Sequence, residues 1–470
     1  MKTKLHHLLL TLALLALSTL NAQFSIVFAQ AITFTNPTPV SGEHFGHSVA
    51  ALGTDRVLIG ADMEYNGTTY PGAAYLFSTN GALITTFTNP APASSAYFGF
   101  SLAPLGTDRV LVGAYGANSG AGASGAAYLF STNGTLLANF INPAPIVYGY
   151  FGYSVAAVGT DRVLIGAEGN GTFYVNYIGA AYLLSTNGTL ITTFANPNPA
   201  AGARFGCSVA AVGTDRVLIG AYGDNTGATG AGAAYLFSTN GTLLTTFTNP
   251  TPAFEDYFGN AVVAVGSDRV LIGAYQDSAG ATTAGAAYLF STNAALLTTF
   301  TNPTPAATDK FGNSVAAVGT DRVLIGAFQD DTGAADAGSA YLFNTNGTLL
   351  MTITNPTPAG SDYFGCSVAA LGADRALIGA YGDNTGATDA GSAYLSIVAG
   401  QTTGPPPLFI SQSVNTVTVF WQNIGSWTLQ QNGNLLTTNW TASSGVTTSN
   451  GTNYLTIASP IGSQFFRLHQ

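Results

Sequence analysis

Residues 205–250 read FGCSVAAVGTDRVLIGAYGDNTGATGAGAAYLFSTNGTLLTTFTNP. The Phe-Gly pair that opens this segment occurs seven times in the 470-residue chain, at intervals of 53, 53, 54, 53, 53 and 53 residues. The seven copies begin at Phe45, Phe98, Phe151, Phe205, Phe258, Phe311 and Phe364. A repeat this regular indicates an array of similar structural units that are stable only when they pack against their neighbours.

One unit predicts four short antiparallel strands, at 205–212, 216–221, 233–238 and 242–247. The Asn-Gly pair between the last two is the strongest short hairpin signal, because both residues accept positive φ. The Asn-Pro-Thr-Pro that follows ends the pairing, since proline has no N–H to donate. Seven four-stranded units with apolar residues on both faces predict an all-β fold, a seven-bladed β-propeller.

The two ends of the repeat array predict how the ring closes. The seventh unit stops after Ser396 and lacks its fourth strand. The segment Ile32-Thr33-Phe34-Thr35 resembles the end of that strand in other units, such as Thr246-Phe247-Thr248. We therefore expect this N-terminal segment to complete the last blade, which removes an exposed sheet edge.

The segments outside the repeats predict a secreted or cell-surface protein with four parts. Residues 1–31 combine a basic start with an apolar run, which is typical of a signal peptide cleaved after Ala22 or Ala31. The alternative is a buried N-terminal helix. The propeller spans 32–400, and a Pro-rich linker spans 401–407. Residues 408–470 alternate apolar and polar residues, which predicts a small C-terminal β-sandwich with a hypothetical sorting or surface-attachment role.

The composition narrows the classes of partner. Only 7% of residues are charged and the formal net charge is -10, with no basic stripe, so nucleic acid is not an expected partner. No apolar run reaches the length of a membrane span after the leader. Cys207 and Cys366 occupy the same position three units apart, too far on a ring for a disulfide, and are expected to be buried. We expect a monomeric propeller.

The Phe-Gly-x-Ser-Val-Ala, Val-Leu-Ile-Gly-Ala and Gly-Ala-Ala-Tyr-Leu-Phe segments resemble the bacterial form of the FG-GAP repeat. That repeat forms the blades of the integrin α-subunit propeller, and the resemblance covers about 32–400. It implies a propeller that binds ligands on one loop face. Integrin-type calcium loops lie between the first two strands. Here that connection is only Gly-Thr-Asp or a close variant, which is too short to surround a calcium ion.

Charged residues fall into two groups. Seven Asp-Arg pairs follow the first strands, and we interpret them as structural, with each arginine bridging to a neighbouring blade. Fifteen other acidic residues lie in the loops before Phe-Gly and in the loops between the second and third strands, which emerge on the same face. This arrangement predicts an acidic face that attracts basic ligands or cations. The alternative is that these acids only keep the protein soluble.

The loop face supplies the candidate ligand-binding residues. Carboxylates beside aromatic rings are typical of sites for carbohydrate or peptide, so an extracellular protein or glycan is the expected partner. The candidates are Asp62, Glu64, Tyr97, Tyr150, Glu168, Tyr174, Tyr177, Arg204, Asp224, Glu255, Asp256, Asp277, Asp330, Asp331 and Asp383. The alternative for the tyrosines is packing between blades. The loops 62–70 and 168–177 differ most from the shared pattern and are candidates for specificity.

No cofactor is expected to be required, although calcium at the oxygen-rich loops is a second hypothesis. Its candidate ligands are Asp330, Asp331, Asp336, Asp383 and Asp389. No nucleophile elbow, phosphate loop or zinc motif is present in the sequence. We therefore predict a binding or adhesion protein and not an enzyme. The alternative is a carbohydrate-active hydrolase or lyase, because many carboxylates share one face.

Overall fold

The computed structural model describes residues 32–170, 177–398, 409–413, 416–422, 428–432, 439–449, 452–458 and 465–469. The predicted leader (1–31) and Pro-rich linker (401–407) lie outside the described residues. The chain divides into two compact units, Met1–Val398 and Ala399–Gln470. The described residues contain no helix with the length and apolarity that a membrane crossing needs.

The first unit contains seven four-stranded antiparallel sheets, as predicted for the blades of a propeller. Within a blade the strands pair in chain order, from the inner first strand to the outer fourth. Blades 1 to 3 contain β2 (Phe45–Leu52), β3 (Arg56–Ala61), β4 (Ala73–Ser78), β5 (Leu83–Thr88); β6 (Phe98–Leu105), β7 (Arg109–Ala114), β8 (Ala126–Ser131), β9 (Leu136–Ile141); and β10 (Phe151–Val158), β11 (Arg162–Ala167), β12 (Ala180–Ser185), β13 (Leu190–Ala195). Blades 4 to 6 contain β14 (Val209–Val212), β15 (Arg216–Ala221), β16 (Ala233–Ser238), β17 (Leu243–Thr248); β18 (Phe258–Val265), β19 (Arg269–Ala274), β20 (Ala286–Ser291), β21 (Leu296–Thr301); and β22 (Phe311–Val318), β23 (Arg322–Ala327), β24 (Ser339–Asn344), β25 (Leu349–Thr354).

The seventh blade combines the two ends of the repeat array. Its strands are β26 (Val368–Leu371), β27 (Arg375–Ala380), β28 (Ser392–Ile397) and the N-terminal β1 (Ile32–Thr35). Phe34 pairs with Ala393 just as Phe247 pairs with Ala234 in blade 4. The predicted closure of the ring by the N-terminal strand is therefore confirmed.

Neighbouring blades share the hydrophobic core. Seven apolar clusters each combine residues from two adjacent blades, and the last of them joins Leu377 of blade 7 to Val57 of blade 1. Each blade thus buries both faces, which a single unit cannot do.

The glycine of Phe-Gly allows the first strand of one blade to approach the third strand of the preceding blade closely. Gly46 has φ +93°, and a β-carbon there would lie 2.2 Å from the Ser392 carbonyl oxygen. The backbone bulges after Phe-Gly, so the pairing between the first and second strands is interrupted near the start of the first strand. In blades 4 and 7 it begins only at Val209 and Val368, so the prediction of a strand from residue 205 was too long.

The turn arginines bridge blades, as predicted. Arg56 Nη2 donates to the Thr107 carbonyl of the next blade at 2.8 Å, and Arg375 Nη2 closes the ring on the Thr54 carbonyl at 2.6 Å. The Asp-Arg ion pairs themselves span 3.5–3.8 Å with exposed aspartates, so they contribute little to stability.

The second unit contains two small sheets with a common core, which confirms the predicted small β-sandwich. One sheet has the order β29-β30-β34-β33 and the other β32-β31-β35. Their strands are β29 (Phe409–Ser413), β30 (Thr416–Gln422), β31 (Thr428–Asn432), β32 (Thr441–Ala442), β33 (Thr447–Ser449), β34 (Thr452–Ala458) and β35 (Phe465–His469). Val419, Trp421 and Leu455 of the first sheet pack with Leu429 and Leu468 of the second.

Candidate ligand-binding face

The residue before each Phe-Gly pair adopts the left-handed backbone conformation although none of the seven is glycine. The φ angles lie between +54° and +61°. These residues are His44, Tyr97, Tyr150, Arg204, Tyr257, Lys310 and Tyr363. A bulky residue in this conformation costs about 1–2 kcal/mol, so each site holds its side chain at an energetic cost.

A second set of seven side chains follows the Gly-Ala that ends each second strand and contacts the first set. It comprises Asp62, Tyr115, Glu168, Tyr222, Tyr275, Phe328 and Tyr381. We call the two sets together the axial collar, because they surround the inner strands at the loop face. Aromatic rings of the collar meet within and between blades: Tyr97 stacks on Tyr115 with centroids 4.7 Å apart, and Tyr115 lies 5.5 Å from Tyr150.

The collar continues in the other blades with similar spacing. The rings of Tyr222 and Tyr257 are 5.2 Å apart, and those of Tyr363 and Tyr381 are 5.0 Å apart. The packing interpretation of these tyrosines is therefore correct. Because the collar tyrosines remain half-buried, packing leaves part of each ring accessible to a ligand.

Glu168 and Arg204 form a shorter ion pair in the collar than His44 and Asp62 do. Arg204 Nη1 donates to Glu168 Oε1 at 2.8 Å, while Glu168 Oε2 has no hydrogen-bond partner among the described residues. Burial raises the pKa of Glu168 to about 7 although the Arg204 charge opposes the shift. The guanidinium also lies 4.6 Å above the ring of Tyr177. Tyr174, another candidate, lies outside the described residues.

Two histidines accompany Asp62 in blade 1. His44 Nδ1 lies 3.6 Å from Asp62 Oδ1, and the His44 and His47 rings stack at 6.5 Å. Burial alone would raise the pKa of Asp62, but the neighbouring His47 and His44 side chains hold it below its usual value. This sector of the collar therefore favours an anionic carboxylate.

Most of the other candidate carboxylates lie in buried hydrogen-bond networks. In blade 6, Asn302 Nδ2 donates to Asp309 Oδ2 at 2.6 Å and to Asp330 Oδ2 at 3.4 Å. Tyr341 on β24 donates its hydroxyl to the same oxygen of Asp330. We call this arrangement a carboxylate node. It ties the linker that enters the blade to the loop after the second strand.

The nodes differ among the blades. Blades 1, 5, 6 and 7 have an acid before Phe-Gly and a second acid in the loop after the second strand, whereas blade 4 has only Asp224. The paired acids are Glu43 with Glu64, Asp256 with Asp277, Asp309 with Asp330, and Asp362 with Asp383. In blades 2 and 4, alanines 96 and 203 replace the first acid, and within the described part of the chain Asn89 Nδ2 and Asn196 Nδ2 have no hydrogen-bond partner.

The predicted acidic surface is largely absent because burial hides these side chains. Eleven of the fifteen loop acids are buried: Glu43, Asp62, Glu64, Glu168, Asp224, Asp256, Asp277, Asp309, Asp330, Asp362 and Asp383. Glu255, Asp331 and Asp389 are exposed, and Asp336 is half-buried. The loop face is thus mainly aromatic and polar, with few exposed charges. Ligand binding by the individual candidates stays a prediction.

The calcium candidates make hydrogen bonds to protein donors. Asp330 Oδ1 accepts from the Thr332 backbone N–H at 2.9 Å, and Asp383 Oδ1 accepts from Thr385 N–H at 2.7 Å. Asp331 Oδ1 accepts from Asp336 N–H at 2.9 Å. Among the described residues, no group of three or more His, Cys, Asp or Glu side chains is placed to hold a metal ion. Calcium binding at these loops stays a prediction.

The site candidates omitted several residues that the structure places with them. His44, Lys310 and Tyr381 belong to the collar, and four asparagines of the Asn-Pro pairs donate to the nodes, namely Asn36, Asn249, Asn302 and Asn355. The sequence did contain a signal for these residues. Residues at the same number of positions from Phe-Gly occupy the same place in every blade, so one collar or node residue indicates its counterparts in the other six blades.

The fold defines the class of protein, a seven-bladed β-propeller with a small C-terminal β-unit. The FG-GAP repeat model matches residues 85–130, 192–237, 246–290, 298–343 and 349–396. The chain is an FG-GAP repeat protein. Each matched segment runs from the outer strand of one blade to the third strand of the next. None of the five includes the divergent loops of blades 1 and 3.

Solved propellers are similar in fold. The GH74 xyloglucanase from Xanthomonas campestris is 13% identical, with a TM-score of 0.50 over 84% of this chain and 60% of that chain. The WD40 β-propeller domain of Doa1 is 12% identical, with a TM-score of 0.48 over 80% of this chain and 98% of that one. At these identities the likeness shows the fold alone. A search of curated protein sequences found no match.

Proposed function

We propose that the protein is a secreted or cell-surface binding protein that holds an extracellular protein or glycan at the axial collar. The observation that carries the proposal is the backbone before Phe-Gly. Seven residues that are aromatic or carry a basic side chain keep a conformation that glycine adopts without strain. Strain retained at equivalent positions around one axis favours a role for the side chains themselves.

The chemistry of the collar favours a ligand with both apolar and polar surface. Half-buried tyrosine rings stack on the faces of sugar rings or on peptide side chains, and their hydroxyls serve as hydrogen-bond partners. The Arg204 guanidinium and the Asp62 carboxylate add charges of opposite sign at two places of the ring. Such a surface suits a glycan or a polar peptide.

A change of Tyr257 to glycine tests the proposal. The substitution relieves a left-handed conformation worth about 1–2 kcal/mol, and it removes ring contacts to Tyr222 and Tyr275 worth about 0.5–1.5 kcal/mol each. We therefore expect a nearly unchanged melting temperature and weaker binding to the ligand selected on glycan and protein arrays. Phe254→Ala, at a 70% exposed site outside the collar, is the control. Unchanged binding by Tyr257→Gly would contradict the role of the collar.

A carbohydrate-active hydrolase or lyase is the second candidate, favoured by one observation. Glu168 is a buried carboxyl with a pKa of about 7 and an unpartnered oxygen, which suits a proton donor near neutral pH. Release of reducing ends or unsaturated products from polysaccharides, abolished in Glu168→Gln, would support an enzyme. Glycan binding without turnover supports the binding protein. Arrays run with and without calcium test the calcium hypothesis.

We propose export through the N-terminal leader and a sorting or attachment role for residues 408–470. The proposal rests on the basic and apolar pattern of 1–31 and on the separate C-terminal unit. Expression of the chain without residues 401–470 in its native host tests the attachment role. Loss of surface retention is expected, and normal retention would contradict it.

A further inference from the structure

A cavity of about 550 Å³ opens beside blade 1 on the loop face, which is within the size range of small-molecule sites. The loop between β3 and β4 forms one wall, with Glu64, Tyr65 and Asn66. The outer strand β5 contributes Thr86 and Thr88. Asn89 and Pro92 of the linker to blade 2 complete the lining, together with Pro37 and Thr38 of the linker that enters blade 1.

The cavity exists because the blade 1 loop does not pack on its linker. In blade 4, a β-carbon added at Gly227 would lie 2.7 Å from Cγ of Pro252, so the loop touches the linker proline. β-Carbons added at the equivalent glycines of blades 2, 5, 6 and 7 would likewise lie 2.8–3.3 Å from their linker prolines. Gly67 is the equivalent in blade 1, and a β-carbon there would meet nothing within 4 Å. The loop thus stands away from Pro92.

Tyr65 lines this opening, and the ring of Tyr70 packs against it. Tyr65 and Tyr70 are 36% and 40% exposed, and their ring centroids lie 5.0 Å apart. The loop that carries them is held in place, because Asn66 Oδ1 accepts hydrogen bonds from the backbone and hydroxyl groups of Thr68 and Thr69 at 2.9–3.3 Å. The rings are therefore presented by an ordered loop, which reduces the entropy cost of binding.

The cavity also offers an unused hydrogen-bond donor. Asn89 is 6% exposed and lines the cavity, and its Nδ2 has no partner. In blade 1 the equivalent Asn36 amide is satisfied by Glu43 and Glu64. Blade 2 has alanines at both acid positions, 96 and 117, so the Asn89 amide has no carboxylate to which it can donate. An unpaired buried donor is unfavourable, and an acceptor group of a ligand removes that cost.

We infer that this cavity is a saccharide subsite that takes a neutral hexose unit, with Tyr65, held by its contact with Tyr70, packing on the sugar ring and Asn89 Nδ2 donating to a sugar hydroxyl. The inference rests on the proposed function, which it makes specific by naming the ligand class and the place. Glu64 does not favour a cationic ligand over a neutral one, because Asn36 and Thr38 already donate hydrogen bonds to its carboxyl group. The exposed hydroxyls of Thr86 and Thr88 add further partners for a polyol.

The test uses the full-length protein and arrays of glucose, galactose and mannose oligosaccharides, followed by calorimetric titration with the best-bound oligosaccharide. Asn89→Ala and the double variant of Tyr65→Ala with Tyr70→Ala remove the proposed contacts. Asn196→Ala is the matched control for the first, because Asn196 Nδ2 is also unpartnered but does not line this cavity. Phe254→Ala is the control for the loss of an exposed ring. Melting temperatures verify that each variant is folded.

We expect at least a tenfold weaker affinity for the double tyrosine variant and for Asn89→Ala, with both controls unchanged. Absence of binding by the wild type to any neutral hexose oligosaccharide overturns the inference. Retained affinity in the double variant, combined with loss in Tyr257→Gly, also overturns it but leaves the proposed function at the collar intact. If collar and cavity variants all bind like the wild type, both proposals fail.

Discussion

The carboxylate nodes make a quantitative prediction for Asn302→Ala. The Asn302 amide donates to two buried carboxylates at 2.6 and 3.4 Å, and its carbonyl oxygen accepts from Thr304 N–H at 3.0 Å. A hydrogen bond to a charged group contributes about 1.5–3 kcal/mol and a neutral one about 1 kcal/mol. Since the 3.4 Å bond is long, we expect a total loss of about 3–4 kcal/mol. The change also leaves Asp309 and Asp330 facing each other without a shared donor.

Asn196→Ala is the control for this prediction. Asn196 is also buried and accepts from Asn198 N–H at 2.9 Å, but its Nδ2 has no partner. Its removal should cost only about 1 kcal/mol plus the packing loss that both variants share. Urea unfolding at pH 7, followed by tyrosine fluorescence and by circular dichroism, measures the difference. Equal midpoints for the two variants would refute the assigned role of the node.

Three further predictions concern the fold. Deletion of residues 32–39 removes β1 and its pairing with β28, so the melting temperature should fall sharply, and an unchanged melting curve would contradict closure by this strand. Gly220→Ala places a β-carbon 2.0 Å from the Gly259 carbonyl oxygen of the next blade and should lower the free energy of unfolding by about 3 kcal/mol. Gly360→Ala, at an open and exposed site, should leave it nearly unchanged. Equal effects of the two changes on the urea midpoint would argue against the close approach of the inner strands. Burial raises the pKa of Asp309 from 3.8 to about 6, so its contribution to stability is present below pH 3.8 and is lost as the pH rises through 6. Asp309→Asn removes this titration, so the free energy of unfolding of the variant should increase relative to that of the wild type between pH 4 and pH 7. A constant difference between the two proteins over that range would count against the shift.

Most of the fold could be predicted from the sequence, because the same pattern of strands and turns recurs in seven units. Strand 216–221 and strand 233–238 have the predicted bounds, and the match of Ile32–Thr35 to an outer strand predicted the closure. The bulge after Phe-Gly was not predicted. It depends on the approach of the neighbouring blade to Gly206, and this contact leaves no local pattern in the chain.

The site was predicted less well, because the sequence shows where an acid lies but not whether it is buried. Asp224 was taken as a surface charge, yet it accepts from the Tyr235 hydroxyl at 2.6 Å and is fully buried. Its partner is eleven residues away and lies on a neighbouring strand. The left-handed backbone at Tyr97 and the cavity beside Tyr65 likewise depend on tertiary packing, although the divergence of the 62–70 loop did indicate where to look.

Hydrogen–deuterium exchange of the full-length protein, with and without the ligand selected on glycan and protein arrays, tests the central claim most directly. Ligand binding at the loop face predicts slower exchange in the segments before Phe-Gly, in the loops after the second strands and in residues 62–70. Slower exchange confined to the Asn-Gly turns or to residues 409–469, or the absence of any ligand on the arrays, would contradict it.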